Sequence, residues 1–175
     1  MPGASTTRGD PALRQGQRPV RVLFVCMGNI CRSPVAEGIF LHLVKTRNLS
    51  DRFEVDSCGI GDWHLGHSAD PRSQDVARRN GIELACTARK IDRTRDFETF
   101  DWILAMDRQN YRDLENLSPR EHLAKIHLMR EFDPEAEERA EVPDPYYGGP
   151  TGFDSMYAML KRSCENFLDS LEREP

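Results

Sequence analysis

Two residues in the stretch "VRVLFVCMGNICRSPVAEGIF", residues 20 to 40, carry the chemistry. Cys26 ends a nearly continuous apolar run, and Arg32 follows after five intervening residues, immediately before Ser33 and Pro34. A thiolate is a strong nucleophile, and a guanidinium presents a planar fork of donors that matches two oxygens of a tetrahedral anion. The run "VRVLFVC" has the β-branched and aromatic character of a strand buried on both faces. Beyond Ser33-Pro34, Ala36, Ile39, Phe40 and Leu43 recur at helical spacing.

A strand leading into a helix puts residues 27 to 33, including Met27, Gly28, Asn29, Ile30 and Cys31, in a turn at the carboxyl end of a sheet, where open α/β folds bind ligands. Backbone N–H groups of such a turn can converge on one anion, and the helix N-terminus adds partial positive charge. Gly28 and Asn29 are the residues expected to take the positive φ of a tight cradle. The field that holds a phosphate also favours thiolate over thiol at Cys26, making it a nucleophile directed at phosphorus. Ser33 can bond the sulfur or cap the helix. The Gly-Lys-Ser/Thr ending of a nucleotide phosphate loop is missing, as is Gly-x-Gly-x-x-Gly.

Displacing an alcohol or phenol from phosphorus calls for a proton donor to the leaving oxygen. Asp144 stands out among 29 acidic residues because Pro143 and Pro145 restrict its backbone and Tyr146-Tyr147-Gly148-Gly149 follow. A fixed carboxyl beside aromatic rings suits an aryl leaving group, although "PDPYYGG" also reads as a turn whose tyrosines cover the core edge. Asp107 is the rival acid, with helix capping as its expected task; Asp62, Asp70 and Asp92 have weaker claims.

These residues need an alternating scaffold. After the first strand and helix, residues 53 to 58 read as a strand and 71 to 82 as a helix ended by Gly81. Residues 101 to 106 read as a strand, followed by a helix capped by Asp107 and a fourth strand over 124 to 129. A last helix from about Gly152 carries an apolar face from Met156 to Leu171 and opens on a Thr151 to Asp154 pair with capping-box spacing. The expected fold is an α/β three-layer sandwich around a parallel sheet. Residues 130 to 152 read as a long acidic surface loop ending in the Asp144 motif, its carboxylates from Asp133 to Glu141 solvated.

The 175 residues fit one domain, here 20–175, preceded by residues 1–19 as a flexible extension rich in Gly, Pro, Ser, Thr and Arg. The chain shows no run long and apolar enough for a membrane span, and residues 1–19 lack the apolar middle of a secretory signal, so a cytoplasmic location is expected. Five cysteines without paired spacing predict reduced thiols rather than a disulfide framework or zinc site. Cys58, Cys86 and Cys164 read as packing residues. A net charge of −5 argues against a nonspecific nucleic-acid binder. His64 and His67 read as exposed histidines, not metal ligands, and no cofactor is expected.

In this order and at these distances, "VLFVCMGNICRSP", "DWHLG", "ADPRS", "FDWILAMD" and "DPYYG" resemble the low-molecular-weight protein tyrosine phosphatase family across nearly all of residues 20 to 172. The resemblance implies a four-stranded parallel sheet in the order 2-1-3-4 with helices on both faces. It also implies metal-free hydrolysis of protein phosphotyrosine and small aryl phosphates through a cysteinyl-phosphate. Cys26 would be the nucleophile, Arg32 the phosphate clamp, and Asp144 first the general acid and then the base for water. Asn29 and Ser33 would support the loop, and Ile30, Trp63, Tyr146 and Tyr147 would wall the phenyl pocket. Cys31 matches a second loop thiol that can form a reversible disulfide with the nucleophile. Where the family often has a His supporting the loop asparagine, this sequence has Cys86, which removes one expected support from Asn29.

Three other functions compete with this one. An arginine phosphatase of this kind would carry Thr at position 30 and Phe-Gly at 146–147, where this chain has Ile30 and Tyr146-Tyr147. A thiol-dependent arsenate reductase would need a downstream pair of resolving cysteines, and Cys58 and Cys86 stand far apart. A phosphate or phosphoprotein-binding module without turnover would keep the loop and lose either the thiolate or the reach of Asp144. The expected ligands are phosphotyrosine proteins, with phosphate or other oxyanions as competitors.

Overall fold

A computed structural model describes residues 17–149 and 151–174; the expected flexible extension falls almost wholly on residues 1–16, outside the described residues. Strand β1 is Val20–Cys26, β2 Phe53–Gly59, β3 Trp102–Ala105 and β4 Ile126–Leu128. They form one all-parallel sheet in the order β2-β1-β3-β4. The helices are α1 (Arg32–Thr46), α2 (Pro71–Arg79), the single turn α3 (Asp96–Thr99), α4 (Arg108–Leu117) and α5 (Thr151–Arg173). Ahead of β1, Arg18 forms a two-pronged ion pair with Asp101, the residue before β3.

The alternation of β1 decides the layers, because successive side chains point to opposite faces of a sheet. Val22, Phe24 and Cys26 pack with α1, α2 and α5, where Phe40 meets Phe24, Phe53 and Phe167 at ring separations of 5.4–5.8 Å. Leu23 and Val25 face the other way, onto Phe97, Phe100 and Leu114. Burial on both faces is what a nearly unbroken apolar strand requires. It also leaves Cys26 on the α1 side of the sheet, at the strand's carboxyl end.

Several boundaries differ from those read in the sequence, each for a local reason. Strand β4 is three residues long, because a 3₁₀ turn runs through Lys125 and the Leu128 N–H turns to the Glu131 carboxylate at 3.1 Å. Helix α2 ends at Arg79, and Gly81, at φ 78°, lets Ile82 N–H bond back to Ala77. Ser33 does not cap α1: the capping position is Cys31 and Ser33 lies inside the first turn. Thr151 is likewise inside α5, and the Asp154 carboxylate pairs with Arg79 at 3.1 Å rather than forming a capping box. In the acidic loop, Asp133 is buried between Arg130 and Arg162. Burial works against its charge, but Arg162, the Glu135 N–H and Arg130 hold its carboxyl below the ordinary value.

Gly59 joins sheet to loop. It pairs with Cys26 in the parallel register, and a Cβ there would stand 2.9 Å from the Met27 carbonyl oxygen and 3.1 Å from the Asn29 nitrogen. Backbone is on the other side of that contact and has little room to yield. Gly59→Ala is therefore expected to destabilise the fold by about 1–3 kcal/mol in urea denaturation; an unchanged midpoint would show that the loop is free to retreat.

Candidate active site

The turn between β1 and α1 is held from three sides. From the segment just after β2, Ile60 N–H donates to Cys26 O at 3.0 Å and Gly61 N–H to Met27 O at 2.9 Å. From α2, Asp70 N–H donates to Ile30 O at 2.8 Å. From within, Asn29 takes the left-handed φ of 56° and points its own N–H at the Cys26 sulfur, 3.3 Å away. Gly28 does not share that conformation; it stands against His64, whose ring carbon would lie 3.0 Å from an added Cβ.

Asn29 is fully engaged. Its Nδ2 donates to Ser33 Oγ at 2.8 Å and Ser57 Oγ at 2.9 Å, and its Oδ1 accepts the Arg89 N–H at 3.0 Å. Ser57 Oγ donates to Glu37 at 2.6 Å, and Cys86 lies against the same carboxyl. Asn29 thus has three supports without an imidazole, and Cys86 stands behind them, against Glu37 and Ser57. Ser33 Oγ sits 3.0 Å from the Cys26 sulfur, so of its two expected roles it serves the sulfur. Asn29, Ser33, Ser57 and Glu37 are all buried, which makes each of these bonds costly to break.

Arg32, 2% exposed, is aimed by groups from two other elements. Its Nη1 donates to Asp107 at 2.7 Å and to the Val142 carbonyl at 2.9 Å. Its Nη2 lies 3.6 Å from the Asp144 carboxylate. Burial works against the guanidinium charge, yet Cys26, Asp107 and Asp144 together raise its pKa above the ordinary arginine value. Asp107 therefore has two tasks. It caps α4 through the Asn110 N–H at 2.7 Å, as expected, and it anchors Arg32, which the capping pattern did not reveal.

Cys26, Met27, Gly28, Ile30, Cys31 and Arg32 line one cleft of about 410 Å³ together with Asp144. Its walls include Trp63, Tyr146 and Tyr147, so all four expected pocket residues are present, Trp63 and Tyr147 largely exposed. His64, read in the sequence as an exposed histidine, is half-buried and lines the same cleft, 6.4 Å ring to ring from Tyr146. Asn29 and Ser33 lie behind the cleft as supports. Asp144 is half exposed at the rim, its Oδ1 accepting the Tyr146 N–H at 3.1 Å. Among the other acids, Asp70 caps α2, Asp92 bonds Thr94, and Asp62 pairs with Lys90 at 3.6 Å. Among the described residues, no group of three His, Cys, Asp or Glu side chains converges as a metal site, and no helix is long and apolar enough to cross a membrane.

From this position Cys26 can displace oxygen from a phosphorus held under Arg32, which is the chemistry of a cysteine-dependent phosphatase. The chain belongs to the low molecular weight phosphotyrosine protein phosphatase family, whose model matches residues 21–175. A fission yeast relative, Schizosaccharomyces pombe low molecular weight phosphotyrosine protein phosphatase, is 44% identical over 87% of this chain and 97% of its own. A crystal structure of a protein tyrosine phosphatase from Entamoeba histolytica superposes with a TM-score of 0.83 at 38% identity, covering 87% of this chain and 97% of that one. A Drosophila arginine phosphatase structure is also similar, with a TM-score of 0.80 at 37% identity over 88% of this chain and 99% of its own.

Glu37, the far end of the Asn29 network, gives a pH test. Burial raises its carboxyl above the ordinary 4.5, the hydrogen bond from Ser57 opposing the shift. A carboxyl raised by folding costs stability once charged: the penalty is absent below the unfolded value and grows as pH rises toward the folded one. Wild type should therefore lose melting temperature relative to Glu37→Gln as pH rises from about 4 to about 7. A gap that stays constant or moves the other way would contradict the burial argument.

Proposed function

We propose that this chain hydrolyses protein phosphotyrosine, and small aryl phosphates, in two displacements at Cys26. The observation that carries the reading is the meeting, in one cleft, of Cys26, Arg32 and Asp144 with the aromatic walls Trp63, Tyr146 and Tyr147. In the first step the Cys26 thiolate attacks phosphorus, the P–O bond to tyrosine breaks, and Asp144 gives its proton to the leaving oxygen. In the second, water attacks the cysteinyl-phosphate, Asp144 takes the water's proton, and the S–P bond breaks to return thiolate and inorganic phosphate. Arg32 and the N–H groups of residues 27 to 33 bind the equatorial oxygens and stabilise the charge in both transition states.

Ile30 and the two tyrosines fit a flat phenyl ring better than a guanidine, which favours phosphotyrosine over phosphoarginine. Cys58 is wholly buried in β2 and Cys86 lies against Glu37 behind the Asn29 network, so neither suits the resolving pair of an arsenate reductase. No metal or cofactor enters the reaction, the partners are phosphoproteins rather than nucleic acid, and a reducing cytoplasm suits a thiolate nucleophile.

Cys31 adds reversible redox control. Burial first, with the Asp70 charge second, pushes its thiol up to about 12, so it stays protonated and is not an independent nucleophile. Peroxide would oxidise Cys26 to the sulfenic acid; Cys31 would then displace water to form a disulfide, which a reducing thiol reopens.

Cys26→Ser should bind phosphate and lose turnover. Asp144→Ala should slow substituted phenyl phosphates with poor leaving groups by about 100-fold or more and those with good leaving groups much less. Equal losses across the series would remove Asp144 from the acid role, and faster turnover of phosphoarginine than of phosphotyrosine by wild type would replace the substrate class. After peroxide treatment, dithiol should restore wild type but not Cys31→Ser; equal recovery of both would dismiss Cys31.

A further inference from the structure

Arg72 makes a set of contacts that its place in the first turn of α2 does not require. Its Nε and Nη2 grip the two oxygens of Asp70, at 3.0 and 2.9 Å. An ion pair at a helix N-terminus would end there. Arg72 goes further: its Nη1 donates to the Tyr146 carbonyl at 3.0 Å, and its guanidinium stacks on two rings, 5.3 Å from the centroid of Tyr146 and 4.6 Å from that of Phe153. One planar fork thus joins α2, the loop that carries Asp144 and the first turn of α5. A lysine could supply the charge but not the bidentate grip, the third bond and the stack together.

The ends of this bridge matter. On one side, Asp70 is fixed to the phosphate loop by its own N–H, which donates to Ile30 O. On the other, the Tyr146 residue whose carbonyl Arg72 holds is the one whose N–H holds Asp144 Oδ1. Four successive contacts, Ile30 to Asp70 to Arg72 to Tyr146 to Asp144, therefore index the carboxyl to the loop that would bind phosphorus. Asp144 itself is half exposed, and its approach to Arg32 at 3.6 Å is too long to set its direction.

We propose that Arg72 is a positioning residue for the general acid: by tying the Tyr146 carbonyl to Asp70 it places Asp144 over the leaving oxygen, and so governs proton delivery rather than anion binding. The inference rests on the phosphatase reading above and adds to it a residue outside the loop, the nucleophile and the acid. A carboxyl displaced by about 1 Å still lines the cleft but protonates the leaving group poorly.

The experiment compares kcat/KM of wild type, Arg72→Met and Arg72→Lys over phenyl phosphates of graded leaving-group acidity, with inorganic phosphate as competitive inhibitor. Wild-type turnover, abolished in Cys26→Ser, establishes the phosphatase reading on its own; without it that reading fails before Arg72 is judged. Arg72→Met should lose about tenfold or more on phenyl phosphate and under about threefold on 4-nitrophenyl phosphate, with phosphate inhibition unchanged. Arg72→Lys should show the same pattern at a smaller size, and serves alone if Arg72→Met does not fold. In an Asp144→Ala background, either substitution should cost nothing further, since both act on one proton transfer. Losses equal across leaving groups, losses that persist without Asp144, weaker phosphate inhibition, or no loss at all would each overturn the proposal.

Discussion

The site depends on a loop closed by the protein before any anion arrives. Convergent N–H groups repel one another's partial charges, and a left-handed residue inside such a turn adds strain, so a loop of this shape opens unless something holds it. Asn29 is where it is held. Its backbone takes the unfavourable conformation and its side chain spends both polar atoms fixing it, on Ser33, Ser57 and the Arg89 N–H. Because these bonds are buried, they exchange with no water when the site empties. The loop can then stabilise charge developing on a phosphate without rearranging, which is the condition for electrostatic catalysis.

Arg32 follows the same design. A long charged side chain in a cleft would ordinarily sample many rotamers, but Asp107 and the Val142 carbonyl both take its Nη1. That leaves Nη2, on the Asp144 side, as the nitrogen nearest the acid. The acid loop is tied more lightly, through Tyr146 and Arg72, and its carboxyl stays half exposed. On the mechanism proposed above, a rigid anion site beside a more open acid is a sensible division: phosphorus must be held in line throughout, while the leaving oxygen and the attacking water must come and go past Asp144.

How much of this could be read from the chain depended on whether the information was local. The strand, turn and helix around Cys26 and Arg32 are contiguous, and the parallel sheet follows from the alternation of apolar strands and amphipathic helices. The aromatic walls were legible because Tyr146-Tyr147 adjoin Asp144 in sequence. The supports other than Ser33 were not, because each comes from a separate element: Ser57 from β2, Glu37 from α1, Arg89 from the segment before α3. Asp107 showed only its capping role, since nothing in a capping pattern reports an arginine 75 residues away. The short β4 and the buried Asp133 were misread for a related reason, as Glu131, Arg130 and Arg162 redirect backbone and carboxylate in ways that periodicity does not encode.

Glu37 and Cys86 illustrate how a network tolerates change at its edge. The position where an imidazole would have faced the Asn29 network holds a thiol whose pKa burial, and the Glu37 charge after it, push up to about 12. It stays neutral and leaves Glu37 to accept from Ser57, so the loop keeps its supports. On the proposed reading, this preformed loop delivers one sulfur, that of Cys26, to phosphorus. Its most direct test is a rapid quench of the enzyme turning over an aryl phosphate, followed by peptide mapping by mass spectrometry. One phosphoryl group is expected, on Cys26, absent from Cys26→Ser and accumulating in Asp144→Ala with a substrate whose leaving group needs no proton. Turnover with no phosphoryl group on the protein, or with one on any other residue, would contradict it.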